Sequence, residues 1–186
     1  GPKVCKFGGS SLAQASQFRK VGDIIKADGD RRFVVPSAPG KRSKDDQKVT
    51  DLLYLCHEHA KQGIAFDDVF KLIAERYRQI IQELGRSRAF DAHLEEARAG
   101  IKETAEQGPD YAASRGEYLN GLIMARFLGY AFVDPADLIR FDAKGRLDMP
   151  ASRTLMQQRL KDVATAVVPG FYGRAVDGSI KTFSRG

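Results

Sequence analysis

The amino-acid sequence predicts an α/β fold: a nearly parallel sheet with helices on both faces and a β-hairpin appended. Three observations carry that reading. Short apolar runs at residues 3–7, 32–35, 130–133 and 164–168 have the length and β-rich character of strands. The longer stretches between them repeat apolar residues at helical spacing. Near the end, Asp177-Gly178 lies between two β-rich runs, the strongest short-range signal for a hairpin.

In chain order, Lys3 to Phe7 reads as a strand that stops at Gly8-Gly9-Ser10-Ser11, and Phe18, Val21, Ile24 and Ile25 then recur as one face of a helix. Arg32 to Val35 is a second strand ended by Pro36-Ser37-Ala38-Pro39-Gly40. The following polar stretch carries Lys41, Arg42, Lys44 and Lys48 and reads as a mobile, exposed loop. From Thr50 to about Glu106 the chain is predicted to be helical, with Leu52, Leu53, Leu55, Val69, Leu72, Ile73, Ile80, Ile81 and Leu84 in register and breaks near Gly63 and Gly85. Another helix is predicted from Ser114 to Gly129, a suitable C-terminal stop. A helix from about Ala151 to Lys161 precedes the strand at 164–168, which ends at Pro169-Gly170-Phe171-Tyr172-Gly173. No internal repeat or linker interrupts the pattern, so residues 1–186 read as a single domain.

The 30 basic and 24 acidic residues give a formal charge of +6, which suits nucleotide phosphates and acidic metabolites as well as nucleic acid. The charges are interspersed rather than gathered into a basic stripe with exposed aromatics, which argues against a nucleic-acid partner. No stretch approaches the ~20 apolar residues of a membrane span, and Gly1-Pro2-Lys3-Val4 does not open a signal peptide. Cys5 and Cys56 form no CxxC pair or disulfide framework, so the reducing cytoplasm is the expected compartment. His57 and His59, two apart on a predicted helix, diverge by roughly 200° and do not converge on a metal. Cys56 reads as a core thiol.

Four segments have residues suited to chemistry. In Lys6-Phe7-Gly8-Gly9-Ser10-Ser11, two glycines after a strand-end lysine let main-chain N–H groups approach a phosphate, or simply make a tight turn. The order differs from the P-loop, in which the lysine follows the glycines. Ser114-Arg115-Gly116-Glu117 has the form of a capping box, while a pocket glutamate would hold an ammonium group. Ser37 and Thr50 flank the basic loop, where their hydroxyls suit either turn and helix-start chemistry or a carboxylate ligand. Arg185 is a surface arginine or a bidentate carboxylate holder, and Gly170 and Gly173 are turn glycines or a second close approach to phosphate.

Taken in order, these segments resemble the aspartate kinase family: Lys6-Phe7-Gly8-Gly9-Ser10-Ser11, Val35-Pro36-Ser37-Ala38, Lys48-Val49-Thr50-Asp51-Leu52-Leu53, Ser114-Arg115-Gly116-Glu117, Val168-Pro169-Gly170-Phe171 and Ser184-Arg185-Gly186. Pro36 departs from the pattern, standing where a β-branched residue is usual. The resemblance implies the amino-acid kinase fold, a three-layer α/β/α sandwich with a mostly parallel central sheet, incomplete here at the C-terminal side. It implies transfer of the γ-phosphoryl of ATP, with Mg²⁺, to the side-chain carboxylate of L-aspartate. By the same resemblance Lys6 is catalytic, and Lys6, Gly8, Gly9, Ser10, Gly170 and Gly173 contact phosphates. Ser37, Thr50, Glu117 and Arg185 then bind aspartate, and no metal is held by side chains of this chain.

The family pattern continues past Gly186 with Gly-Ser-Asp and the remaining nucleotide contacts. The expectation is therefore an amino-terminal, aspartate-binding portion that does not turn over ATP alone. Its full-length form is expected to be a homo-oligomer, and the exposed sheet edge is expected to drive the isolated chain to associate. Two alternatives stand beside this reading: a non-catalytic binding or assembly subunit, and a related kinase acting on glutamate, acetylglutamate or UMP.

Overall fold

A computed structural model describes residues 1–86 and 89–183 of the chain. Strand β1 (Lys3–Phe7) leads through a 3₁₀ turn at Gly9–Leu12 into α1 (Ala15–Lys26) and then β2 (Arg31–Pro36). Four helices follow: α2 (Val49–Lys61), α3 (Asp67–Glu83), α4 (Asp91–Glu103) and α5 (Asp110–Leu128). The remainder is β3 (Ala131–Phe132), α6 (Met149–Leu160), β4 (Ala166–Val167), β5 (Tyr172–Arg174) and β6 (Ile180–Thr182). The first four strands form one sheet in the order β1-β2-β4-β3, every pair parallel, and β5 pairs antiparallel with β6. This is the predicted α/β architecture. At the hairpin turn the Asp177 carboxylate accepts from the main-chain N–H and hydroxyl of Ser179, and Gly178 takes a positive φ of 89°.

Helices α1–α4 form because each has an apolar stripe to bury against the sheet or another helix. Phe18, Val21 and Ile25 of α1 lie in the core, as do Ile73, Tyr77, Ile80 and Ile81 of α3. Three residues of the predicted stripes do not: Ile24, Leu55 and Leu72 are 48%, 42% and 46% exposed. Each lies beside the buried arc, and on α2 that arc is completed by Cys56 and His57. Burial pushes the Cys56 thiol up to about 12, mainly by desolvating its thiolate. A thiol reagent at pH 8 is therefore expected to modify half-buried Cys5 and spare Cys56 until denaturant is added, as counted by mass spectrometry.

Helix α5 starts at Asp110, not at Ser114. Gly108-Pro109 sets the start, and the Asp110 carboxylate ties the first turn to β6 by accepting from Thr182 N–H (3.2 Å) and its hydroxyl (3.1 Å). Ser114 Oγ donates to Tyr111 O one turn back at 2.7 Å, so the expected capping box at 114–117 does not exist. The helix is buried over most of its circumference because it packs on α2 and α4 and also on β2, β3 and β4. At Gly121 an added Cβ would lie 2.6 Å from Pro169 Cγ, so glycine is what lets the helix sit this close to the strand ends.

The three layers are unequal. The core that joins Val34 and Val167 of the sheet to α1–α5 lies on one face. On the other face Val4, Phe33 and Val35 border an apolar groove of about 760 Å³, whose far wall includes Met156 and Leu160 of α6. Alternation along a strand makes this division, since Val4 and Lys6 point away from Cys5 and Phe7.

Candidate active site

Because β1 and β2 are parallel, their carboxyl ends and the loops that leave them meet at one edge of the sheet, where open α/β sheets bind ligands. Ser37 N–H donates to Phe7 O at 3.0 Å, and Gly40 N–H donates to Gly9 O at 2.8 Å, joining the two loops main chain to main chain. A cavity of about 460 Å³ opens between them, the first turn of α2 and the middle of α5. Gly9, Ser10, Ser37, Thr50 and Glu117 all line it, although they come from four separate parts of the chain.

Glu117 projects from α5 and is only 6% exposed; its Oε1 accepts from Ala38 N–H at 3.3 Å. Gly116 makes this placement possible, because a Cβ there would come within 2.8 Å of the Ala38 methyl group. The Gly116 carbonyl in turn accepts from the buried Tyr77 hydroxyl at 2.8 Å. Burial first, and then the nearby Glu117 charge, hold the Tyr77 phenol well above its usual range, so it remains a neutral donor. One helical turn beyond Glu117, fully buried Asn120 donates to Ser37 O at 2.8 Å and fixes the strand end beneath the cavity. Sequence reading missed Asn120; its i+3 spacing from Glu117 was the available signal.

Lys41 and Lys48 also line the cavity, opposite in charge to Glu117 and Asp51. The first turn of α2, with Thr50 in it, adds main-chain N–H groups directed outward from a helix N-terminus. A buried carboxylate as acceptor, with lysines, hydroxyls and a helix start as donors, suits a small zwitterion that carries additional negative charge.

The loop between Gly40 and Lys48, expected to be mobile and exposed, is exposed along most of its length and is hydrogen-bonded to α3. Arg42 grips Asp46 with two hydrogen bonds, at 2.8 and 3.0 Å, and reaches Gln79 Oε1 at 3.1 Å. Buried Arg76 bonds main-chain carbonyls at both ends of the loop. The paired guanidinium of Arg42 and the charge of Arg76 hold the Asp46 carboxyl well below the usual carboxylate range.

The other predicted site residues lie elsewhere. Lys6 and Gly170 border the apolar groove on the far face of the sheet. Gly8 has open space where a side chain would stand, whereas the corresponding space at Gly9 is taken by Ala38 O and Gly40 N at 3.0 and 3.1 Å. The glycine at position 9 thus lets two loops meet. At Gly173, in β5, an added Cβ would lie 2.5 Å from the Ile139 side chain, so the absence of a side chain lets β5 pack closely against Ile139. Arg185 lies outside the described residues. Among the described residues, no group of three or more His, Cys, Asp or Glu side chains is placed to hold a metal ion, and no helix is long and apolar enough to cross a membrane.

The model of the amino acid kinase family matches residues 2–186. The chain belongs to the amino acid kinase family. Aspartokinase 3 of Bacillus subtilis is 35% identical over 98% of this chain and 43% of its own length. The crystal structure of the aspartate kinase of Clostridium acetobutylicum superposes with a TM-score of 0.94 at 50% identity, over 98% of this chain and 42% of that one. Aspartokinase III of E. coli, solved in complex with aspartate and ADP, shares the fold with a TM-score of 0.81 at 23% identity, over 44% of its length. The chain thus spans less than half the length of these relatives, and each of the three is an aspartate kinase.

Proposed function

We propose that this chain forms the amino-acid pocket of an aspartate kinase, which transfers the γ-phosphoryl of MgATP to the side-chain carboxylate of L-aspartate. The observation that carries this reading is Glu117, a buried carboxylate in a cavity whose lining also includes Ser37, Thr50, Lys41, Lys48 and Asp51. Glu117 receives the substrate ammonium group, and the lysines, hydroxyls and α2 start receive its carboxylates. The E. coli relative that binds aspartate and ADP supports the same assignment, as does the 50% identity to the Clostridium enzyme.

The attacking carboxylate has an ordinary pKa of about 3.9, so it is ionised at neutral pH without a general base. What remains is to bring two anions together. Lys6 neutralises charge on the transferring phosphoryl group, and main-chain N–H groups near Gly8 and Ser10 supply further donors. Lys6 lies on the groove side of the strand ends and Glu117 on the cavity side, so aspartate and nucleotide approach from opposite sides of the sheet edge. Mg²⁺ enters with the nucleotide as part of the substrate. The whole enzyme is a cytoplasmic homo-oligomer in this reading.

Thermal unfolding with each candidate acceptor tests the assignment. L-aspartate at ten times its Kd should add about 1.4 kcal/mol of stability, a rise of about 3–6 °C in a domain of this size. L-glutamate is expected to produce less than half of that rise. Stabilisation by UMP alone would assign the cavity to a different member of the family.

A further inference from the structure

We propose that Arg76 is a positioning residue for the cavity: its guanidinium staples together three of the four segments that shape the aspartate pocket, and thereby sets aspartate affinity. The proposal rests on the reading of the cavity as an aspartate site. Arg76 lies on α3, is 5% exposed and does not itself line that cavity. Its Nη2 donates to Ala13 O at 3.2 Å and to Gly40 O at 2.7 Å, and its Nη1 donates to Gln47 O at 3.2 Å. Asp46 Oδ2 lies 3.3 Å from Nη1 and supplies the countercharge.

The identity of those acceptors is the point. Ala13 directly follows the 3₁₀ turn that carries Gly9 and Ser10, while Gly40 and Gln47 bracket the basic loop. Lys41 and Lys48, the two lysines of the cavity, are the immediate neighbours of Gly40 and Gln47. Only a planar fork with several fixed N–H vectors reaches carbonyls on three chain segments at once; an ammonium group is a single point. A buried cation also has to be fully satisfied, so the three carbonyls and Asp46 are held in place by the cost of leaving it unsatisfied. Without Arg76 the ends of the loop are free to part, and both lysines lose their place.

Two measurements on the 186-residue chain test this. The first is aspartate affinity by calorimetry, for wild type, Arg76→Gln and Arg76→Lys, well below each melting temperature. The second is the rate of tryptic cleavage after Lys41, Arg42, Lys44 and Lys48, which reads loop opening directly. Arg76→Gln is expected to weaken aspartate binding about tenfold to a hundredfold, the scale of one lost hydrogen bond to a charged group, and to speed cleavage in the loop at least about tenfold. Arg76→Lys should fall between it and wild type. Ile101→Ala, which opens the fully buried core at α4, is the control for general loosening and should keep wild-type affinity.

Binding by Arg76→Gln within twofold of wild type overturns the proposal, and so does an equal loss in Ile101→Ala. If Arg76→Gln does not fold, Arg76→Lys decides, and wild-type affinity in that variant overturns it. If the wild-type chain does not bind aspartate, the assignment of the cavity fails. Trypsin then decides on the staple, with unchanged loop cleavage in the variant overturning it.

Discussion

Replacing Glu117 with glutamine is expected to remove aspartate recognition while leaving the fold intact. The substitution conserves shape and keeps an oxygen to accept from Ala38 N–H, so the end of β2 retains its contact with α5. What is lost is the negative charge facing the substrate ammonium group in a cavity wall only 6% exposed. Removing one partner of a buried charge pair costs about 2–4 kcal/mol, which corresponds to roughly thirtyfold to a thousandfold in affinity. The melting temperature should move little, since glutamine requires less desolvation than carboxylate. Calorimetric titration with L-aspartate reads the first effect and thermal unfolding the second. A Glu117→Gln chain that binds aspartate as tightly as wild type would remove Glu117 from the site.

The second large effect is expected at Gly40. A β-carbon there would lie 2.6 Å from Gly9 C, 2.7 Å from Gly9 O and 2.9 Å from Ser10 N, all main-chain atoms of the opposing loop. No side chain can rotate to make room, so the loops after β1 and β2 must separate and the 2.8 Å hydrogen bond between Gly40 and Gly9 must lengthen. Overpacking of this kind costs about 1–3 kcal/mol, or a fall of about 2–12 °C in melting temperature. The cavity lies between the same loops, so aspartate binding should weaken with it. Gly29→Ala is the matched control, because nothing lies within 4 Å of its added carbon and its φ is ordinary. Equal melting temperatures for the two variants would show that the contact between the loops contributes nothing.

Much of the candidate site was legible in the sequence because small motifs report local constraints. Lys6 to Ser11, Ser37, Thr50 and Ser114 to Glu117 were singled out individually, and five of the ten named residues line one cavity. In other features a local rule competes with a distant partner. Ser114-Arg115-Gly116-Glu117 satisfies the capping-box pattern, but Gly108-Pro109 starts the helix a turn earlier, and Gly116 is there for the passage of Ala38. The basic loop has the composition of a mobile segment, yet a single arginine from α3 holds its two ends. Gly9 and Gly173 look like phosphate-turn glycines, and their neighbours are Gly40 and Ile139.

The sequence by itself determined the order of strands and helices, the breaks near Gly63 and Gly85, the Asp177-Gly178 hairpin and the family resemblance. Each of these depends on residues within a turn or two of one another, so periodicity and turn chemistry are enough to encode it. Only the tertiary structure decided that Lys6 stands on one side of the strand ends and Glu117 on the other. It also decided that Arg76, which belongs to none of the six motifs, holds the pocket's walls. Those are contacts across 63 and 36 residues of chain, from Arg76 to Ala13 and to Gly40. Nothing in the local sequence records them, because they come into being when α3 packs against α1, α2 and α5, helices formed by other parts of the chain.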